Sequence, residues 1–319
     1  MRQETFRTRA KARWSATETM IGMLDRKKKK DTEQFPFLYR QLCHDLAIAR
    51  DRHFDVSLVD HLNRMAIRGH QHLYRPKRFS LEKAATFVKI HLPNAVRKEL
   101  GPVIIALALL FGSMASIAFI VHKYPVLIYS IVPAEQVRRI ETMYDPDSER
   151  FLRPIEHESR FAMFGFYILN NISISFRVFA GGILVGVGSI FVLLFNGVFL
   201  GAITGHLIRL GYGSTFFTFV SSHSALELVA IALSGVSGLR LGWSLIAPGR
   251  MTRGESLRHA ARSAVPLLYG SVIMLTLAAL IEAFWSPLPL PIVVKYGFGI
   301  AWWLVLFCYF FLSGRKHAI

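Results

Sequence analysis

Apolar residues recur every three or four positions between residues 35 and 74, which is the period of an amphipathic helix. A turn signal at Arg52-His53 divides this stretch in two. Residues 1–33 are charged and include the basic run 26–30, which is typical of a solvated or lipid-touching linker. The pattern therefore predicts a helical hairpin that follows a linker.

Residues 79–99 form another amphipathic stretch, with Phe87 and Leu92 on its apolar side and Lys89 and Arg97 on its basic side. A basic amphipathic helix directly before an apolar segment is typical of the cytoplasmic membrane interface. We therefore expect three regions. They are a cytoplasmic basic helical domain at 1–78, an interfacial helix at 79–99 and a transmembrane bundle at 100–319.

Beyond residue 100 the apolar residues gather into long segments, and a helix needs about 20 such residues to cross a bilayer. The predicted spans are 100–121, 161–180, 183–208, 223–246, 264–285 and 292–312. The predicted fold class is all-α, a polytopic membrane helix bundle with about six spans and an N-terminal helical hairpin. The second segment is the most polar, and a re-entrant or interfacial helix is the alternative there.

The charges of the connecting segments indicate an orientation. The segment 248–263 carries four arginines and one glutamate, whereas 122–160 has six Lys/Arg and seven Asp/Glu. Loops rich in Lys and Arg stay on the cytoplasmic side. Six spans with both termini in the cytoplasm place every basic cluster on that side, so we expect a multi-pass protein of the bacterial inner membrane.

Composition and charge narrow the class of protein. Hydrophobic residues make up 52% and charged residues 18%, against roughly 25% charged in an average soluble chain, which excludes an ordinary soluble enzyme. The net charge is +17, and residues 1–99 hold 22 basic and 11 acidic residues, which favours contact with anionic lipid through the N-terminal domain. No nucleic-acid-binding motif is present. Cys43 and Cys308 lie in different regions, so no disulfide framework or cysteine zinc site is expected.

Glycines repeat at close intervals in the third and fourth predicted spans. Small residues four positions apart allow two helix backbones to approach closely in lipid, and a glycine-lined substrate path is the alternative. The predicted helix-packing glycines are Gly182, Gly186, Gly197, Gly201, Gly205, Gly235, Gly238 and Gly242.

Ionisable residues within the spans are the candidate chemistry. An ionised glutamate in hydrocarbon costs at least about 2.5 kcal/mol, so Glu227 should face the bundle interior beside a partner such as His223, Arg177 or Arg240. The full candidate site is His223, Glu227, Glu282, Asn170, Asn171, Asn196, Arg177 and Arg240. Such residues either fix helix register as a polar network or form a proton-linked or ligand-binding site.

Known catalytic patterns are missing from the sequence. His223 and Glu227 share a helix face, but zinc proteases use two histidines in H-E-x-x-H, and no G-x-S-x-G elbow or Walker A motif occurs. We therefore expect no metal, no cofactor and no catalytic residue. A membrane-embedded metallohydrolase, in which Glu282 would complete the metal site, is one alternative.

Three segments resemble the stage II sporulation protein M family of integral membrane proteins. They are 168–203 with its Asn-Gly, 223–249 with His-x-x-x-Glu, and IEAFWSP at 281–287; residues 38–50 and 62–75 look similar too, so the resemblance covers about 35–290. The family's namesake is a membrane scaffold that gathers peptidoglycan-degrading enzymes during engulfment, without known catalysis of its own. The resemblance thus implies a non-enzymatic envelope scaffold that docks cell-envelope proteins among membrane lipids, and it transfers no catalytic residue.

A transporter is the main alternative to the scaffold. In that case His223, Glu227 and Glu282 would form an ion-linked site for a small solute or lipid, lined by the asparagines. The sequence leaves open whether the chain associates with itself.

Overall fold

The structure, a computed structural model, describes residues 3–26, 33–73, 80–147 and 157–314. Every regular element in these ranges is a helix, which confirms the predicted all-α fold class. The chain divides into two compact units, Met1–Ser80 and Leu81–Ile319, and each has its own buried apolar core.

The N-terminal unit contains three helices, α1 (Gln3–Asp25), α2 (Phe35–Asp51) and α3 (Val56–Leu73). Helices α2 and α3 pack together as the predicted hairpin. Leu42 on α2 and Leu62 on α3 are fully buried. Helix α1 packs against both of them.

The prediction of a linker over residues 1–33 is wrong for Gln3–Asp25, which form α1. This helix is polar on most of its surface and buries a narrow seam, Phe6, Ala10, Trp14 and Ile21. Four apolar residues spread over about four turns are too few to dominate a charged stretch, so the sequence pattern concealed the helix. Most of the basic run 26–30 lies outside the described residues.

Two aspartates tie α1 to the hairpin. Buried Asp45 accepts hydrogen bonds from the Arg13 guanidinium at 3.0 Å and from Trp14 Nε1 at 2.9 Å. Asp25 accepts from Arg68 Nη2 at 2.5 Å and lies 2.6 Å from His72 Nε2. These hydrogen bonds lower the pKa of Asp25 below its usual range, Arg68 having the larger effect.

The second unit begins with a continuous helix at the predicted position, and this helix contains a π-helical turn. It consists of α4 (Leu81–Thr86), a π-helical turn (Phe87–His91) and α5 (Leu92–Lys98). Pro93 has no N–H and its ring clashes with the carbonyl four residues earlier, which widens the preceding turn. Leu92 is buried and Arg97 donates to the Phe310 carbonyl at 2.6 Å, so this stretch packs on the bundle.

Six long helices form the bundle, and two short ones follow the first of them. In chain order they are α6 (Leu100–Lys123), α7 (Ile128–Ile131), α8 (Ala134–Tyr144), α9 (His157–Ala180), α10 (Val187–Arg209), α11 (Gly213–Ile246), α12 (Arg253–Leu280) and α13 (Ile292–Leu312). A 3-10 turn (Pro125–Leu127) precedes α7, another (Gly181–Ile183) follows α9, and a π-helical turn (Ile281–Trp285) continues α12. The six long helices are long and apolar enough to cross a membrane.

Several helix ends differ from the predicted span ends, because hydropathy marks the apolar part of a helix and backbone chemistry sets its ends. Helix α11 begins at Gly213 instead of 223, and α12 begins at Arg253 instead of 264. Thr252 caps α12 by accepting from the Glu255 N–H, while the Glu255 carboxylate accepts from the Thr252 N–H. Helix α10 begins only at Val187, because Gly186 has a φ of +84°.

Close backbone contacts between helices occur at the predicted glycines. On α10, a Cβ at Gly197, Gly201 or Gly205 would overlap atoms of α6, and the contacted residues advance along α6 in the same order. Helices α6 and α10 are therefore parallel and in backbone contact.

A second close contact joins α11 to the end of α9 and the turn after it. Gly182 lies against Gly238 and Gly186 against Gly242, while Gly235 accommodates the Leu193 side chain. The Ser175 and Ser234 hydroxyls also meet between α9 and α11. The matched order of these contacts makes α9 and α11 parallel as well.

Candidate functional site

Three ionisable side chains converge near the end of the bundle where α8 lies. We call His223, Glu227 and Glu282 the His-Glu cluster. One ring nitrogen of His223 and one carboxylate oxygen of each glutamate all lie within 4.8 Å of one another. His223 and Glu227 are one turn apart on α11, and Glu282 is in the π-helical turn at the end of α12.

The π-helical turn positions the second side of the site. The Ser286 N–H donates to the Ile281 carbonyl at 2.8 Å, five residues earlier, and Pro287 then ends the helix. A widened turn changes the direction of the side chains that follow it, and such turns are frequent at functional sites. Here it directs both Glu282 and Ser286 toward α11.

The polar atoms of the cluster face one another without hydrogen bonds between them. The His223 side chain is buried, and its Nε2 is 3.9 Å from Glu227 Oε2, which is too far for a hydrogen bond. Glu282 Oε2 is buried and has no hydrogen-bond partner in the described part of the chain. Buried polar atoms are normally paired, so this arrangement is unusual for a purely structural contact.

Ser286 connects the cluster to a buried lysine. Its Oγ is 3.2 Å from His223 Nδ1, and its carbonyl oxygen accepts a hydrogen bond from Lys295 Nζ at 2.8 Å. Lys295 is 7% exposed, near the start of α13. Within the described ranges Lys295 forms no ion pair with either glutamate of the cluster.

Aromatic side chains cover the cluster on the side of α8. The Tyr144 ring packs edge-on against Phe216 and Phe219, and the Phe219 ring lies 5.6 Å from the His223 ring. Burial raises the pKa of the Tyr144 phenol, and the carboxylates of Glu282 and Glu227 raise it further. Tyr144 therefore lies within electrostatic range of the cluster.

Helix α8 is held in this position by polar contacts at two points. The Thr215 hydroxyl donates to the Tyr144 carbonyl at 2.5 Å, and the Glu141 carboxylate lies 2.6 Å from His206 Nε2. His206 is buried at the end of α10. A second histidine and glutamate are thus in direct contact outside the His-Glu cluster.

Helix α9 contributes the predicted asparagines. Asn171 is buried, and its side-chain oxygen accepts from the amide of Asn170, which is exposed. The Asn171 Nδ2 atom has no partner among the described residues. Because α9 and α11 are parallel and Ser175 meets Ser234, Asn171 lies about one helical turn closer to the cluster than that contact.

Three other predicted site residues lie elsewhere. Asn196 donates to the Val192 carbonyl of its own helix at 2.7 Å, and Arg177 is exposed on α9. Arg240 donates to the Glu99 carboxylate and, at 2.6 Å, to Ser263 Oγ. The expectation that Arg177 or Arg240 pairs with Glu227 is therefore wrong. Arg240 is thirteen residues from Glu227 on one helix, which at 1.5 Å per residue is about 20 Å.

Some residues at the site were missed by the sequence argument. Lys295 carried a usable signal, because it is a charged residue inside the last apolar segment and the cost applied to Glu227 applies equally to it. Ser286 lies in the quoted IEAFWSP segment but had no assigned role. Nothing in the sequence pattern indicated that Tyr144 would cover the cluster.

The donor set of the cluster allows two kinds of chemistry. One imidazole nitrogen and two carboxylate oxygens are ligands that zinc and similar divalent ions accept. Without a metal, two neighbouring carboxylates in a poorly solvated site can share a proton.

Two family models match different parts of the chain. A family model described as Stage II sporulation protein M matches residues 103–287, more than half of the chain, and contains the whole His-Glu cluster. Residues 4–75 match a separate model described as a domain of unknown function, DUF8413. The family resemblance is confirmed over residues 103–287, whereas the segments 38–50 and 62–75, which look similar too, fall within the second match instead. No curated protein and no solved structure matches the chain.

Proposed function

This chain belongs to the stage II sporulation protein M family, and from that premise we propose that it is a non-enzymatic assembly factor of the bacterial cell envelope. One observation carries the proposal: a compact helical unit with its own core precedes a bundle of apolar helices. A unit that folds around its own core can bind a partner protein while the bundle anchors it in the membrane.

The proposed location is the inner membrane, with both termini and the N-terminal unit in the cytoplasm. The 22 basic residues among the first 99, and the four arginines of 248–263, support this orientation. The same charge supports contact between the N-terminal unit and anionic lipid headgroups. In this orientation α8 and the His-Glu cluster lie toward the outer face.

The N-terminal unit offers a candidate docking face on α3. Val56 is 74% exposed and Ile67 is 53% exposed. They are eleven residues, or about three turns, apart and therefore lie on the same side of the helix. We propose that a partner protein buries these two apolar side chains, between which the exposed polar residues Asp60 and Arg64 lie on the same helix.

Cross-linking in cells, followed by purification in mild detergent and mass spectrometry, tests the proposal. We expect one envelope protein at a near-stoichiometric level, and its loss when Val56→Ser and Ile67→Ser are combined. Val126→Ser is the matched control, because Val126 is 76% exposed but belongs to the other unit. Recovery of the chain alone, or equal recovery of the partner with both variants, would contradict docking at this face.

A second candidate function is an ion-linked carrier for a small solute or lipid. The His-Glu cluster favours it, because intramembrane ionisable groups are common in proton and ion pathways. Reconstituted in vesicles, a carrier would show pH-dependent flux that Glu227→Gln abolishes at unchanged protein yield. Flux that is indifferent to this substitution would exclude the cluster as the transport site.

A further inference from the structure

We propose that the His-Glu cluster binds one divalent transition-metal ion, zinc being the expected occupant. The ligands are His223 Nε2 and one carboxylate oxygen each from Glu227 and Glu282. This site goes beyond the assembly role, because docking of a partner protein requires no metal.

The distances suit a shared ion. Zinc binds imidazole nitrogen and carboxylate oxygen at about 2.0–2.2 Å with nearly tetrahedral angles, so two ligand atoms on one ion lie about 3.3–3.6 Å apart. The 3.9 Å between His223 Nε2 and Glu227 Oε2 exceeds that range by only about 0.3 Å. The separation limit of 4.8 Å for all three donors requires a closure of at most about 1.5 Å, which rotation of the glutamate side chains can supply.

The neighbouring residues orient the histidine as a metal site requires. Ser286 Oγ is within hydrogen-bond distance of Nδ1, so a proton on Nδ1 leaves the lone pair of Nε2 directed at the two carboxylates. Metal-binding histidines usually donate their other N–H to such a second group. Lys295 in turn fixes the Ser286 backbone through its 2.8 Å hydrogen bond.

The unpaired atoms indicate a ligand more directly. His223 is 3% exposed, and its Nε2 lies 3.9 Å from Glu227 Oε2, which is too far for a hydrogen bond between them. Glu282 Oε2 is likewise buried and unpartnered within the described ranges. A divalent cation would satisfy both atoms and neutralise two carboxylates in a poorly solvated position.

The contact between His206 and Glu141 shows how a histidine and a glutamate are arranged when they pair directly, without a metal between them. It uses the same two residue types, but the ring nitrogen and the carboxylate oxygen are 2.6 Å apart and satisfy each other directly. That distance leaves no room for an ion between them. The His-Glu cluster is therefore distinguished by its open geometry and by its third donor. Three protein ligands also leave a coordination position for water.

Metal analysis of the full-length chain tests the site. The protein is purified in detergent with a tag that lacks histidine, incubated with Zn²⁺ and freed of unbound metal, and its zinc content is measured by mass spectrometry. We expect about one zinc per chain, and at least about tenfold less in His223→Gln and in Glu282→Gln. His206→Gln is the matched control and should keep its zinc. Ser286→Ala should bind zinc about 10–100-fold more weakly.

The other outcomes also decide for or against the site. Wild-type protein without zinc after incubation would overturn the site. Equal zinc in the wild type, His223→Gln and Glu282→Gln would place the metal on other histidines. If the cluster variants cannot be purified, the thermal midpoint of the wild type decides: a rise on adding Zn²⁺ supports the site, and an unchanged midpoint overturns it.

Discussion

Toward its end at Ile246, α11 packs backbone against backbone, and its charged group is paired. Gly238 and Gly242 lie against the backbone of the turn after α9, and Arg240 donates to Glu99 and Ser263. Toward its start at Gly213, the same helix is lined by aromatic rings, and His223 and Glu227 face Glu282 without hydrogen bonds between them.

The difference shows that one end of α11 serves helix packing while the other end holds a polar cluster. Where opposite charges meet at contact distance, the polar groups satisfy each other and the contact serves helix packing. Where the His223 ring and the two carboxylates face one another without hydrogen bonds between them, a buried polar atom is left without a partner and a ligand can bind. A measurable consequence is that substitutions in the two halves should differ in the size of the stability change and in its dependence on added Zn²⁺.

The largest effect is expected at one of the closest backbone contacts. A methyl group at Gly242 would overlap backbone atoms of Gly186 and Val185. Backbone atoms cannot move aside as the end of a flexible side chain can. Gly242→Ala should therefore lower the stability of the bundle by about 3 kcal/mol, because overpacked contacts force a backbone shift. The thermal midpoint of the full-length protein in detergent measures this change.

Gly112→Ala is the matched control for the glycine contact. A Cβ there meets nothing within 4 Å, and Gly112 is also inside a long helix. This substitution should leave the midpoint unchanged or raise stability by up to about 1 kcal/mol, because alanine is the better helix former. An equal loss for both substitutions would mean that helix packing does not depend on the Gly242 contact.

A smaller loss is expected from breaking the paired charge. Arg240→Ala leaves the Glu99 carboxylate, whose side chain is only 15% exposed, without its cation. We expect a loss of about 2 kcal/mol, less than for a fully buried pair because Arg240 is itself partly exposed. Combining it with Glu99→Ala should restore part of the stability, since the unpaired charge is then removed. Strictly additive losses in the double-mutant cycle would show that the two residues are not coupled.

Most of the membrane architecture could be predicted from the sequence, because hydropathy and glycine spacing act along a single helix. The same holds for the pairing of His223 and Glu227 on one face. The position of Glu282, the third member of the cluster, depends on how α12 ends. It lies in a π-helical turn, and no regular spacing of apolar residues predicts such a turn. The choice of Arg240 as a partner failed for a related reason: sequence shows that a charge must be paired, but not which helix supplies the pair.

Helix α1 illustrates a different limit. Its buried face is a seam of single residues, Phe6, Ala10, Trp14 and Ile21, and the charged residues between them dominate any local average. A periodicity search over a longer window, with charge disregarded, would have found this seam.

The smallest effect is expected in the open half of α11 when no metal is present. Glu282→Gln keeps the side-chain volume, removes one of two facing carboxylates and breaks no hydrogen bond in the described part of the chain. In chelator-treated protein the change in stability should stay within about 1 kcal/mol, in contrast to Arg240→Ala. With Zn²⁺ added, the midpoint of the wild type should rise while that of Glu282→Gln stays where it was. A loss in metal-free protein as large as that of Arg240→Ala would show that the Glu282 carboxylate is already paired. The two halves of α11 would then be alike.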